Sequence, residues 1–436
     1  MNHVHTAPGA PTALARRYAD VRARTVRLAA PLSPEDCQVQ SMPDASPVKW
    51  HLAHVTWFFE TFVLERFEPG FAPFDARFRV LFNSYYQQVG DRHPRPQRGL
   101  LTRPALADVL RWRAQVDERM ARLLAQQAEP ALQALVTLGL QHEQQHQELL
   151  LTDLKHLLWS NPLRPAYQPA WPLAPVAPVA PRWLPQSGGR VAAGASGPGF
   201  AFDNETPRHD HWLRPYALLN RLVTHGEWAD FVADGGYRDA RWWLAAGWDW
   251  VVALGIEAPL YWSRADAADA WHSFTLHGEV PLDPHTPVTH ISYFEADAFA
   301  RWKAATDTAF AGARLPTEFE WEAAVAPDEQ AHHAAGNFVE SGALHPMPVA
   351  RPGSGLLQAL GDVWEWTSSS YQAYPGYRPW AGAVGEYNGK FMVNQYVLRG
   401  GSCATPADHV RASYRNFFPT DARWQFTGLR LARDLD

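Results

Sequence analysis

The run Trp171-Pro-Leu-Ala-Pro-Val-Ala-Pro-Val-Ala-Pro181 limits this chain more than any other segment. Its recurring prolines remove backbone donors and fix φ, so neither a helix nor a central strand can pass through it. It is expected to run as extended polyproline II. Whatever lies on either side must build its own core. The two sides also differ in texture. Upstream, apolar residues recur at three- and four-residue steps over 13–29, 48–64, 105–127 and 132–159. Breakers at Pro31, Pro34, Pro43 and Pro47 and an irregular stretch over 69–104 separate these segments. Downstream, the chain is rich in Gly and Trp with short strand-like runs. The expected division is a helical bundle over 11–160, a Pro-rich linker over 161–190 and a loop-rich α+β domain over 191–436.

Within the second half, helices are expected over 224–233 and 292–308. A third should open at Thr317, with Glu320 three residues on as a capping box. The stretch 69–104 is too long for a passive connection, and structureless insertions of that length are usually functional.

Charge narrows the function classes. The 39 basic and 45 acidic side chains leave −6, and no basic tract is present, so binding to nucleic acid is not expected. No run approaches about 18 apolar residues, and the start has no apolar segment of secretory type, so no membrane span or leader is expected. Cys37 and Cys403 are the only cysteines, too few for a disulfide framework or a thiolate zinc cluster. A protein of the cytoplasm is the plain reading. Oligomeric state is not legible.

Histidines carry the chemistry. In Gln141-His142-Glu143-Gln144-Gln145-His146-Gln147-Glu148, His142 and His146 stand one helical turn apart on one face. Two imidazoles so placed can share a metal, and the letters also fit the His-Glu-x-x-His helix of zinc proteases, with Glu143 as base. The alternative is a solvated helix face, because Glu and Gln are good surface helix formers. A third candidate is His54 in Trp50-His-Leu-Ala-His54-Val-Thr-Trp-Phe-Phe, a segment so apolar that His54 should face inward. Taken singly it could be a buried histidine bonded to a carbonyl. Three inward histidines on two bundle helices favour a metal centre with open positions.

These residues resemble a known family. Trp50-His-Leu-Ala-His54 with His142-x-x-x-His146-x-Glu148 is similar to the DinB-like bundle of the ergothioneine-biosynthesis sulfoxide synthases (the EgtB family). Downstream, Leu222-Val-Thr-His-Gly-Glu-Trp228, Arg314-Leu-Pro-Thr-Glu-Phe-Glu-Trp321, Gly361-Asp-Val-Trp-Glu-Trp-Thr367 and Leu398-Arg-Gly-Gly-Ser402 resemble the formylglycine-generating-enzyme (sulfatase-modifying factor) fold, which is related to C-type lectins. The resemblance covers nearly the whole chain. It implies a multidomain α and α+β protein: a DinB-like four-helix bundle followed by that loop-rich domain.

The resemblance also implies a reaction. A non-haem Fe(II) held by His54, His142 and His146 would join cysteine or γ-glutamylcysteine to hercynine using O2, giving the sulfoxide intermediate of ergothioneine biosynthesis. Gln145 matches a position that contacts the hercynine imidazole, and Asn416 and Phe417 match positions around its trimethylammonium and carboxylate end. Glu148 matches a carboxylate behind the ligands. Tyr85 and Tyr86 match paired tyrosines near the iron in the branch that uses free cysteine, one of them donating a proton or hydrogen atom. Arg95 and Arg98, with Arg423 in the second half, are the implied binders of the donor's carboxylate. The γ-glutamylcysteine branch would instead use a tyrosine of the second domain, with Tyr371, Tyr374 and Tyr377 in the right region. The site should lie between the domains. Formylglycine-generating enzymes need a cysteine pair for copper; only Cys403 follows the linker, so that oxidase chemistry is not expected. A selenoneine-type synthase, a zinc-dependent DinB-type thiol transferase, a zinc protease and a lectin-like binding protein are the competing readings.

Overall fold

A computed structural model describes residues 12–172, 176–264, 266 and 270–435. The chain start, on which the expectation of no leader rests, and Leu173, Ala174 and Pro175 of the Pro-rich run lie outside them. Two compact units divide the chain, Met1–Leu154 and Lys155–Asp436. Among the described residues no helix is long and apolar enough to cross a membrane.

The first unit is built on α1 (Ala13–Ala29), α2 (Val48–Phe58), α3 (Leu106–Gln126) and α4 (Pro130–Ser160), the last of which runs on into the second unit. Thr12 caps α1, its hydroxyl accepting from Ala15 N–H at 3.1 Å. Every residue of α2 is buried, so its near-continuous apolar sequence has no solvent face to serve. One α-helix was expected to continue to residue 64. The turn instead widens into a π-helix over Phe59–Leu64, where Glu65 N–H reaches back five residues to Glu60 O. Such widening re-aims the side chains that follow it. Gly139 on α4 lies so close to Phe58 and Phe59 that a Cβ would sit 2.7 Å from a ring carbon, so only glycine lets these helices meet. The stretch 69–104 carries a short helix, Phe78–Leu81, and a 3-10 segment, Arg95–Leu100.

The second unit is α+β. Strands Trp183–Gln186, Tyr216–Leu219 and Ala432–Asp434 form one antiparallel sheet, and the first of them lies within the segment expected as linker. Gly189–Ala193 pairs with His209–Leu213. Trp262–Ser263, His272–Thr275 and Gly278–Pro281 form a third sheet. In the fourth, Trp364–Ser370 and Gln395–Arg399 lie between Thr427–Gly428 and Asn416–Pro419. Helices α5 (His225–Ala233), α6 (Ala245–Leu254), α7 (Tyr293–Thr306) and α8 (Glu318–Val325) belong to it too, with the shorter helices Glu329–Ala335 and Glu386–Gly389. α5, α7 and α8 open with the same reciprocal box, in which Thr224, Ser292 and Thr317 pair with Glu227, Glu295 and Glu320. α6 is the longest of the helices that periodicity missed, the others being Glu329–Ala335 and Glu386–Gly389. Its sequence, Ala-Ala-Gly-Trp-Asp-Trp-Val-Val-Ala-Leu, shows no apolar stripe, and it stops where Gly255 turns left-handed.

One buried group of this unit has a pH signature. Lys155 is fully buried, its Nζ 2.7 Å from His290 Nε2 and over the rings of Tyr261 and Phe426. Burial pushes its ammonium from 10.5 down to about 7. Between those values the unfolded chain binds the extra proton and the folded chain does not, so stability should rise with pH across that window and be flat below it. Lys155→Met should remove about 2–4 kcal/mol of this alkaline gain between pH 7 and 10, read as the difference between wild-type and variant unfolding curves.

Candidate metal centre

α2 supplies His54, and α4 supplies His142 and His146 one turn apart. One ring nitrogen from each lies within 4.8 Å of the other two. Ring centroids are 4.6 Å apart for His142 and His146, 4.8 Å for His54 and His146 and 5.0 Å for His54 and His142. The surroundings fix each ring. His54 Nδ1–H donates to the Phe82 carbonyl at 2.6 Å, which gives the lone pair to Nε2. Trp50 and Trp57 stack on the same ring at 4.5 and 5.4 Å. His142 packs against Phe58, and among the described residues its buried Nδ1 has no hydrogen-bond partner. His146 Nδ1 lies 2.9 Å from His51 Nδ1, and His51 Nε2 lies 3.1 Å from Asp153 Oδ2.

Burial depresses all three titrations. It takes His142 to about 4 and holds His54 and His146 well below the usual imidazole range, with the neighbouring rings and Arg98 adding to the effect. The triad is therefore three neutral nitrogen donors at pH 7. A buried imidazole nitrogen without a partner is costly, and a cation bound among these donors removes that cost. The site fits a divalent first-row metal held by imidazoles.

Glu143 separates this arrangement from a zinc protease. It is fully buried and accepts from Arg22 Nη1 at 3.0 Å, from Thr25 Oγ1 at 2.6 Å and from Arg113. Burial alone would raise its carboxyl, but Arg113 and Arg22 outweigh that and hold it at about 2. A carboxylate so engaged cannot serve as a general base near neutral pH. The same network overturns the solvated-face alternative, since Gln144 and Gln147 are also fully buried.

The stretch 69–104 brings further groups to the first unit. Arg98 is buried, donates to Ser46 Oγ at 2.8 Å and lies 3.4 Å over the Trp50 ring. Burial, then Arg95, lowers its guanidinium to about 9. Arg95 donates to the Tyr85 hydroxyl at 2.9 Å. Tyr86 is buried between Trp57 and Phe62. Gln145 is half-buried beside His146, and Glu148 is buried a half-turn beyond.

The remaining expected residues belong to the second unit. Asn416 and Phe417 sit on its strand Asn416–Pro419, where Asn416 Oδ1 accepts from Phe417 N–H and the Phe417 ring stacks on Tyr371 at 4.0 Å. Arg423 pairs with the buried Glu295 at 3.2 Å and donates to Ala258 O. Tyr371 accepts from Asn204, Tyr374 donates to Glu318, and Tyr377 donates to Asp203. Cys403 is fully buried and, among the described residues, is not joined in a disulfide.

Sequence reasoning missed His51 and Asp153. A signal existed for both: His51 precedes His54 by one helical turn, and Asp153 follows His146 by seven residues on one face of α4.

Comparisons with known proteins agree across both units. Residues 17–150 match the DinB superfamily, and residues 179–349 and 340–435 match the sulfatase-modifying factor enzyme 1-like domain. The chain is 34% identical to the hercynine oxygenase of Mycolicibacterium thermoresistibile over 97% of this chain and 95% of that protein. It is 32% identical to the hercynine oxygenase of Mycobacterium tuberculosis over 98% and 99%. The formylglycine-generating enzyme of Streptomyces coelicolor is 32% identical over 57% of this chain and 88% of that protein.

Proposed function

The chain belongs to the hercynine oxygenase family, the sulfoxide synthases of ergothioneine biosynthesis, and from that premise we propose that it uses Fe(II) and O2 to join cysteine to hercynine. The observation that carries the metal-dependent part is the convergence of one ring nitrogen each from His54, His142 and His146 within 4.8 Å. The net reaction balances without an external reductant. The imidazole C–H and the thiol S–H are replaced by a C–S bond, sulfur is oxidised to the sulfoxide, and O2 supplies the sulfoxide oxygen and one water.

His54, His142 and His146 would hold the Fe(II). Bound there, the ion supplies redox contact with O2 and lowers the pKa of a coordinated thiol. The chain's other residues bind and orient. Arg98 and Arg95 present guanidinium groups suited to a carboxylate of the sulfur donor. The Tyr85 hydroxyl, hydrogen-bonded to Arg95, is the proposed proton donor, with Tyr86 as the adjacent aromatic wall. Gln145 is assigned to the hercynine imidazole. Asn416 and the stacked Phe417–Tyr371 pair are assigned to its trimethylammonium and carboxylate end, where π-faces stabilise a quaternary ammonium. Arg423 is kept as a second carboxylate binder, although its pairing with Glu295 weakens that role. Free cysteine is preferred over γ-glutamylcysteine because Tyr371, Tyr374 and Tyr377 are each engaged in hydrogen bonds of their own unit. The reaction is assigned to the cytoplasm, in keeping with a chain whose two cysteines are buried and not joined in a disulfide.

The test is anaerobic loading with Fe(II), followed by O2, hercynine and either thiol, with mass detection of the product. Sulfoxide formed from cysteine at least about tenfold faster than from γ-glutamylcysteine supports the reading, a ratio worth about 1.4 kcal/mol in transition-state binding. Activity retained with zinc alone, or no coupling to hercynine, overturns it. Tyr85→Phe should slow product formation more than Tyr86→Phe.

A further inference from the structure

We propose that His51 and Asp153 form a relay that fixes the tautomer and aim of His146, making His51 a positioning residue for the metal. The inference rests on reading the histidine triad as a metal centre. It starts from two Nδ1 atoms, of His146 and His51, that face each other at 2.9 Å. One must carry a proton and the other a lone pair. A neutral imidazole that offers Nε2 to a metal keeps its proton on Nδ1, so His146 donates and His51 accepts. His51, accepting at Nδ1 and facing a carboxylate at Nε2, then carries a proton on Nε2 and donates it to Asp153 Oδ2 at 3.1 Å. The same carboxylate oxygen accepts from Ser46 N–H at 2.8 Å. Every proton along the line is thereby assigned.

Helix geometry explains why two residues are needed. Metal-bound histidines commonly donate their second nitrogen directly to a carboxylate, which orients the ring and strengthens it as a donor. Asp153 is seven residues beyond His146 on α4, about 10.5 Å along the axis, too far for that contact. His51 spans the gap from α2, one turn before His54. One short stretch of α2 thus contributes both a ligand and the support for another. His51 is 2% exposed and Asp153 6%, so solvent does not compete strongly for either bond. Arg98 anchors the far end by donating to Ser46 Oγ at 2.8 Å.

The variants His51→Gln and His51→Leu divide the roles. A glutamine has an amide oxygen to accept from His146 and an amide N–H to donate to Asp153; leucine has neither. Co(II) alone is the probe, added to the full-length metal-free chain, with affinity read by chelator competition and geometry by the visible absorption bands. His51→Leu should weaken Co(II) binding about 10–100-fold and shift the bands, whereas His51→Gln should stay within about threefold of wild type. Thermal unfolding of the metal-free proteins accompanies these, since a merely structural residue would move the melting temperature without separating Gln from Leu in affinity. The proposal is overturned if His51→Leu binds within threefold of wild type, or if Gln and Leu weaken binding alike. Should His51→Leu not fold, Asp153→Ala, which removes the acceptor, decides: weakening beyond threefold supports the relay and unchanged affinity overturns it. A wild-type chain that binds no Co(II) overturns the metal centre together with the relay, whereas wild-type binding with an inert His51→Leu removes the relay alone.

Discussion

His142→Ala should abolish coupling of thiol to hercynine while leaving the fold standing. The separation of these effects follows from an unusual feature of the side chain: its buried Nδ1 makes no hydrogen bond among the described residues, so its loss orphans no partner there. What disappears is one of three donors, and metal affinity should fall by more than the roughly 10–100-fold typical of changes behind the ligands. The measurement pairs bound-metal stoichiometry with the thermal shift produced by added Fe(II) under anaerobic conditions. Wild type should gain stability as metal rises above its dissociation constant, and His142→Ala should show no gain at the same concentration. Retained metal binding in this variant would remove the basis of the proposed oxygen chemistry.

The second large effect concerns stability. Glu143→Gln is isosteric, yet it puts an amide between two buried guanidinium groups, so its N–H₂ must face at least one of them. Among the described residues Arg113 has only Glu143 as an ion-pair partner, whereas Arg22 keeps Asp117. Leaving a buried charge uncompensated is destabilising by about 3–5 kcal/mol. The pH dependence has a fixed sign. The folded carboxyl sits at about 2, below its ordinary 4.5, so its contribution is complete above that ordinary value and is lost as pH falls toward 2. Unfolding curves of wild type should therefore decline over that acid range, and those of Glu143→Gln should lack this component. Metal affinity of the folded variant should stay near wild type, because Glu143 turns toward Arg22, Thr25 and Arg113 and away from the triad. A catalytic base would show the reverse pattern, with activity lost and stability kept.

Much of the architecture was legible before any coordinates. The helical periods upstream and the box Thr317–Glu320 are local statements, and local chemistry decides them. The boundary of α2 was not legible, because the π-helix over Phe59–Leu64 reflects how a dense run of phenylalanines packs and not any residue's own preference. α6 was missed for a related reason: its mixed apolar surface carries no period to detect.

The site divides along the same line. Spacing put His142 and His146 on one face of a helix, and the apolar surroundings of His54 turned it inward; those are consequences of a 3.6-residue period and of burial. Chain order alone could not decide whether rings 88 residues apart, at 54 and 142, approach one another. Nor could it tell that Glu143, which reads as a protease base beside His142, is locked by arginines from α1 and α3. Those outcomes depend on which helix faces pack together, and long-range packing leaves no periodic trace in any one segment. Residue types and local spacing set the donors available; the meeting of α2 with α4 set which nitrogens converge and which carboxylates stand behind them.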